Sequence, residues 1–185
     1  RFAGHALTAL KHEIEDEEGI KLPADWPAQM QRNLVTLMRN EAETIEGAPA
    51  MLRGVAGLGL PYRIGSNSSV EEMEAKFGRT GLDALIAPDT IHSARDMGQP
   101  KPDPAVYLAA ARKQGVPPEC CIVLEDTDTG ARAAQAAGMG CVLLRAPDLP
   151  APKWPGLLRI AHLDEFVPLL TRILTSQKQA GHVNG

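Results

Sequence analysis

Cys121-Ile122-Val123-Leu124-Glu125-Asp126-Thr127-Asp128-Thr129-Gly130 is the stretch that decides the fold. Residues 121–124 form the most apolar strand candidate in the chain, and that strand runs straight into two adjacent carboxylates. A helix candidate follows over 130–137 and a second strand over 141–144. A strand, a helix and a strand in this order read as one unit of a parallel α/β sheet.

The alternation continues on both sides. Upstream, Tyr62-Arg63-Ile64-Gly65 and residues 84–87 read as short strands, with helices over 70–77 and 105–114. A short helix over 50–56, closed by Gly57, precedes them. Downstream, 147–155 is a Pro-rich surface loop, 158–161 a weaker strand and 164–174 a helix. The fold class is α/β, a parallel sheet with helices on its faces.

Residues 1–45 carry another pattern. Leu7, Leu10 and Ile14 recur at i, i+3 and i+7, and Met30, Leu34, Leu37 and Met38 lie at helical spacing within 26–43. The acidic run from Glu13 to Glu18 reads as a solvated helix face and its exit, broken by Gly19 and Pro23. The pattern changes near Glu46-Gly47-Ala48-Pro49. The expected organisation is a helical unit (1–45), an α/β core (46–175) and a disordered polar tail (176–185).

The chain has 185 residues, enough for one core with a small accessory unit, and its 44% hydrophobic and 23% charged content suits a soluble globular protein. The net charge of −4 argues against a broad nucleic-acid or membrane-binding surface. No apolar run approaches the ~20 residues of a membrane span. Cys120, Cys121 and Cys141 are an odd count without a Cys-x-x-Cys spacing. They are expected as buried, reduced thiols in strands, without structural zinc, which points to the cytoplasm.

Ligands of open parallel sheets bind beyond the carboxyl ends of the strands, and three loops lie there. Gly65-Ser66-Asn67-Ser68-Ser69 offers hydroxyls and the N–H groups of a helix start, which can hold phosphate oxygens. The same stretch reads as a capping box, Ser68 with Glu71 or Ser69 with Glu72. Lys101 stands between Pro100 and Pro102, so a stiff loop can present its ammonium to developing negative charge. Its bland counterpart is a turn with an exposed Lys, Asp103 as cap and Pro104 at the first helical position. Glu125-Asp126 suits a hard cation such as Mg²⁺, or else Asp126 or Asp128 caps the next helix. Taken together, the hydroxyl, lysine and acidic loops point to a phosphate and a divalent metal.

In that order, the segment around Ser66-Asn67-Ser68, Lys101-Pro102-Asp103-Pro104-Ala105-Val106-Tyr107, and residues 123–134 followed by Ala137-Gly138-Met139 resemble the second, third and fourth motifs of the haloacid dehalogenase superfamily of phosphohydrolases. The likeness is to the branch with a small helical cap that includes β-phosphoglucomutase-like and 6-phosphogluconate- or phosphoglycolate-type phosphatases, and it reaches to about residue 146. It implies a Rossmann-like core and a Mg²⁺-dependent phosphatase of a small phosphorylated metabolite, such as a sugar or sugar-acid phosphate. By the same resemblance Ser66, Asn67 and Ser68 contact the phosphate, Lys101 is catalytic, and Glu125 and Asp126 bind the metal. An aspartate attacks phosphorus, and a second aspartate two residues on serves as acid and base.

The family's first motif, Asp-x-Asp on an apolar strand, is not found. Asp16 sits in a helical pattern, and Glu18, not Asp, stands two residues on. The resemblance therefore implies that the central first strand, between those ending near Ser66 and Glu125, is missing from these residues. The 185-residue chain alone is expected to be inactive and poorly stable. By the same resemblance, a mutase of this branch would carry a cap Arg shortly after the Gly, but Gly4 is followed by His5, Ala6 and Leu7, which leans toward a phosphatase over a phosphosugar mutase. His5 reads as a helix-start residue before a substrate contact. A non-catalytic binding module on the same fold is the third reading.

Overall fold

The computed structural model describes residues 7–183. Two helices come first, α1 (Leu7–Glu18) and α2 (Trp26–Glu41). Pro27 stands in the first turn of α2, where no intrahelical N–H is required. The acidic run is not wholly solvated. Glu15 is buried, accepts a hydrogen bond from Leu22 N at 2.9 Å and lies 3.6 Å from Lys11 Nζ. It clamps the turn that leaves α1, because an extended backbone N–H there needs an acceptor. Asp16 lies on α1 and is exposed. Gly4 and His5 lie outside the described residues.

The remaining chain alternates. It forms α3 (Ala48–Gly57), β1 (Ile64–Ser66), α4 (Val70–Thr80), β2 (Ile91–Ser93), α5 (Ala105–Gln114), β3 (Ile122–Glu125), α6 (Asp128–Ala136), β4 (Gly140–Leu144), β5 (Leu157–Ile160) and α7 (Phe166–Val183). Every strand pairing is parallel. The α/β expectation holds, with two corrections. The strand expected over 84–87 is a 3-10 turn (Leu82–Ala84) and its exit, because Pro88 opens a second turn directly after Ala87. The partner of β1 is instead β2, a short Ile-His-Ser run too polar to read as a strand. The tail expected to be disordered from 176 continues α7 as far as Val183. Gln177, Lys178, Gln179 and Ala180 are good helix formers, so polarity alone does not end the helix there.

The core lies on both faces of β3–β5. Val123, Cys141 and Leu143 pack with α5 and α6 through Val106, Tyr107, Ala111, Ala131 and Ala134. Leu124, Val142 and Ile160 turn to the other face, against Val55, Phe166 and Leu170 of α3 and α7. Alternate residues of β3 and β4 thus serve opposite layers, as the period of a strand requires. Of the cysteines only Cys141 is buried. Cys120 is exposed in a 3-10 turn and Cys121 is half-buried, because β3 begins one residue later than expected.

The strands form two sheets, β1–β2 and β3–β4–β5. Among the described residues, the edge of β1 away from β2 and the edge of β3 away from β4 have no strand partner. The Lys101 side chain reaches from one sheet to the other, donating to Gly65 O of β1 and to the Glu125 carboxylate of β3.

Candidate active site

β1 ends on Ser66, and the hydroxyl loop turns there into α4. Ser66 Oγ accepts from Ser68 N at 3.1 Å. Ser69, not Ser68, caps α4 by accepting from Glu72 N at 3.1 Å. The box is half-built, because the Glu72 carboxylate goes to Arg95 instead of returning to the cap. The loop rests on the end of β2 and the residue after it, with Ser93 Oγ donating to Ser68 O and Ala94 N to Ser66 O, both at 2.8 Å.

Asn67 joins this loop to the lysine loop. Its Oδ1 accepts from Lys101 N at 2.8 Å and its Nδ2 donates to Lys101 O at 3.4 Å, so one amide pairs both backbone groups of Lys101. The Lys101–Pro102 peptide is cis. The Lys101 side chain is 10% exposed. Its ammonium donates to Gly65 O and to Tyr107 Oη, each at 3.3 Å, and to Glu125 Oε1. Gly65 lets α5 come this close, since a Cβ there would sit 3.0 Å from the Tyr107 ring. The bland reading of an exposed lysine does not hold. Asp103 accepts from Ala105 N at 2.8 Å, but the cap of α5 is Pro104 and the helix begins at Ala105, one residue later than expected.

Glu125 is the most heavily bonded side chain of the site. Oε1 accepts from Lys101 Nζ and Tyr107 Oη. Oε2 accepts from Asp126 N at 3.2 Å, Thr127 N at 3.3 Å and Thr127 Oγ1 at 2.9 Å. Burial alone would raise its pKa, but the Lys101 charge and the hydrogen bonds from Lys101, Tyr107 and Thr127 outweigh it and hold the carboxyl below its ordinary value of 4.5. The Tyr107 hydroxyl shifts upward, through burial and then the Glu125 charge, so it stays a neutral donor. Burial and Glu125 push the Cys141 thiol up to about 11, which leaves it unreactive near neutral pH. Gly130 makes room for the arrangement, because a Cβ there would fall 2.0 Å from the Glu125 carboxyl carbon.

Neither Asp126 nor Asp128 caps α6. Thr127 does, accepting from Gly130 N at 2.9 Å. Asp128 pairs with Arg145 at 2.8 Å, and Arg145 also donates to Asp126 O at 2.8 Å. The Asp126 carboxylate is exposed and carries no hydrogen bond among the described residues. Its oxygens are of the kind a hard divalent cation takes, whereas those of Glu125 are already filled. No group of three or more His, Cys, Asp or Glu side chains among the described residues is placed to hold a metal.

Sequence reasoning singled out Ser66, Asn67, Ser68, Lys101, Glu125 and Asp126. The structure brings Asn67, Lys101 and Glu125 into one hydrogen-bonded chain, with Ser66 and Asp126 next to its two ends. Sequence reasoning missed Tyr107 as part of the site, and it set Thr127 and Gly130 beside a metal, whereas both serve the Glu125 carboxylate. All three stand inside the quoted motifs, and a tyrosine in the first turn of α5, six residues after Lys101, was the available signal.

A family model described as haloacid dehalogenase-like hydrolase matches residues 2–138. The chain belongs to this family. Among curated hydrolases it is 31% identical to the 6-phosphogluconate phosphatase of Escherichia coli over 140 residues, 75% of this chain and 62% of that protein. It is 29% identical to hexitol phosphatase A of the same organism over 182 residues, 96% of this chain and 77% of that protein. A haloacid dehalogenase family hydrolase from Deinococcus radiodurans, solved with bound phosphate and sodium, superposes with a TM-score of 0.68 at 27% identity, covering 92% of this chain and 77% of that one. The chain spans about three fifths of the length of some curated relatives it matches, 59% of a Bacillus subtilis protein and 62% of the 6-phosphogluconate phosphatase. The Rossmann-like core and the helices before it are those of a haloacid dehalogenase-like hydrolase.

Proposed function

We propose that this haloacid dehalogenase-like protein is a Mg²⁺-dependent phosphatase of small phosphate esters, sugar or sugar-acid phosphates, acting in the cytoplasm. The observation that carries the reading is the Lys101 ammonium, which is nearly dry, fixed through its backbone by Asn67 and through its head by Glu125. A cation held this rigidly needs no reorganisation when negative charge builds on a transferring phosphoryl group. The relatives named as sugar-acid and hexitol phosphatases support the substrate class.

In this reading the Ser66 hydroxyl, the Asn67 N–H and the Ser68 hydroxyl hold the phosphoryl oxygens. Lys101 neutralises them, while Glu125 and Tyr107 keep its ammonium aimed. The attacking carboxylate stands on a strand between β1 and β3, where both edges are unpaired among the described residues. Its oxygen bonds phosphorus as the ester oxygen leaves with a proton from a second aspartate. Water then cleaves the aspartyl-phosphate, returning the proton and releasing inorganic phosphate. Asp126 would hold Mg²⁺, and the ion would offset charge on the phosphoryl oxygens when bound, while Glu125 stays engaged with Lys101, Tyr107 and Thr127.

The test is product analysis on the full-length gene product with a panel of sugar and sugar-acid phosphates, with and without Mg²⁺. Metal-dependent release of inorganic phosphate supports the reading. An isomeric phosphosugar without phosphate release would make it a mutase, and phosphate binding without turnover would make it a binding module.

A further inference from the structure

One side chain of α2 reaches both loops that shape the hydroxyl segment. Gln31 Nε2 donates to Ser69 Oγ at 2.8 Å, and Gln31 Oε1 accepts from Arg95 Nη1 at 2.8 Å. A guanidinium only donates, so the amide has one satisfactory orientation, with its oxygen toward Arg95 and its NH₂ toward Ser69. Arg95 is itself fixed, donating at 2.5 Å to Glu72, a carboxylate with only 6% of its side chain exposed. A buried charge of this kind holds its partner firmly, because losing it would leave the carboxylate unpaired.

Both ends of this bridge matter to the loop. Ser69 closes the segment Ser66-Asn67-Ser68-Ser69 and is buried. Its Oγ now accepts twice, from Gln31 and from Glu72 N, so its position is set by α2 as well as by α4. Arg95 belongs to the supporting segment that follows β2. There Ala94 N donates to Ser66 O at 2.8 Å, and Asp96 Oδ2 accepts from Val70 N at 2.9 Å. Gln31 therefore ties α2 to the floor and the rim of the hydroxyl loop at once.

We infer that Gln31 is a positioning residue, which couples the seating of α2 to the shape of the hydroxyl loop and thereby to phosphate affinity. The coupling to phosphate rests on the phosphatase reading, whereas the ordering of the loop does not. If α2 lifts, Ser69 loses a donor, the first turn of α4 loosens, and the hydroxyls upstream lose their fixed spacing.

The experiment uses Gln31→Met, which keeps the length and volume of the side chain and removes both hydrogen bonds, together with Ser69→Ala and the double variant. Amide hydrogen exchange is measured on the full-length protein. Exchange is expected to rise about three- to tenfold across residues 68–73 in Gln31→Met, as loss of one hydrogen bond of ordinary strength allows, with the amides of β3 and β4 unchanged. Unchanged exchange across 68–73, or a uniform rise throughout the protein, would overturn the inference. Affinity for inorganic phosphate is the second readout. Gln31→Met is expected to weaken it about three- to tenfold in the Ser69 background and by clearly less in the Ser69→Ala background, where only the bond to Arg95 is left to lose. Equal weakening in both backgrounds contradicts the coupling. If the unmodified protein binds no phosphate, the phosphatase reading fails and the exchange data alone decide the role of Gln31.

Discussion

Glu125 shows how far one buried carboxylate can organise a site. Its folded pKa lies below the ordinary 4.5, so it contributes stability that is fully present above that value. That contribution is lost as pH falls through the lower folded value. Glu125→Gln should therefore flatten the acid limb of a stability–pH profile, measured as urea midpoints from neutrality down to the carboxylate range. An unchanged limb would mean that Lys101 and Tyr107 do not stabilise the ionised form. Gly130→Ala tests the same pocket by shape. Its Cβ would land 2.0 Å from the Glu125 carboxyl carbon, so the variant should lose on the order of 1–3 kcal/mol in chemical denaturation as Glu125 is displaced. Most of these residues were legible in the sequence, because Lys101, Asn67 and Glu125 lie in recognisable loops. The division of labour between Glu125 and Asp126 was not, since adjacent carboxylates look alike until Thr127 takes the cap and Lys101 takes one of the pair.

At the level of elements, the site is built where strands hand over to helices. Ser69 and Thr127 cap α4 and α6, and each also serves a neighbour, Gln31 in one case and Glu125 in the other. Thr127→Val should cost about 1–2 kcal/mol in urea unfolding, at the upper end for a lost cap, because Glu125 loses a donor with it. A loss of only a few tenths of a kcal/mol would show that the second bond matters little. The helices and the strands β3 and β4 followed from apolar periodicity. β2 did not, since its three residues carry one large apolar side chain and owe their extension to pairing with β1. The bridge from α2 left no trace in the sequence either, because a glutamine on a helix face looks the same whether it meets water or another loop.

Across the whole molecule, the strands form two separate sheets, β1 and β3 each have an edge without a strand partner among the described residues, and Lys101 contacts both sheets. Unpaired parallel edges are templates for intermolecular pairing, so the 185-residue chain alone should self-associate, seen as concentration-dependent mass in light scattering. A stable monomer at all concentrations would show that the edges are shielded. In the full-length protein, Asp126→Ala should abolish metal-dependent phosphate release with the circular dichroism spectrum unchanged. Activity that persists would remove Asp126 from the metal site. The central claim is that Lys101, pinned between Asn67 and Glu125, carries the charge stabilisation of phosphoryl transfer. The most direct measurement is the turnover of Lys101→Ala against the unmodified full-length protein on the best sugar or sugar-acid phosphate. A fall of about 10²–10³-fold in kcat with the fold intact is the expected result, and a rate within a few-fold of the unmodified protein would contradict it.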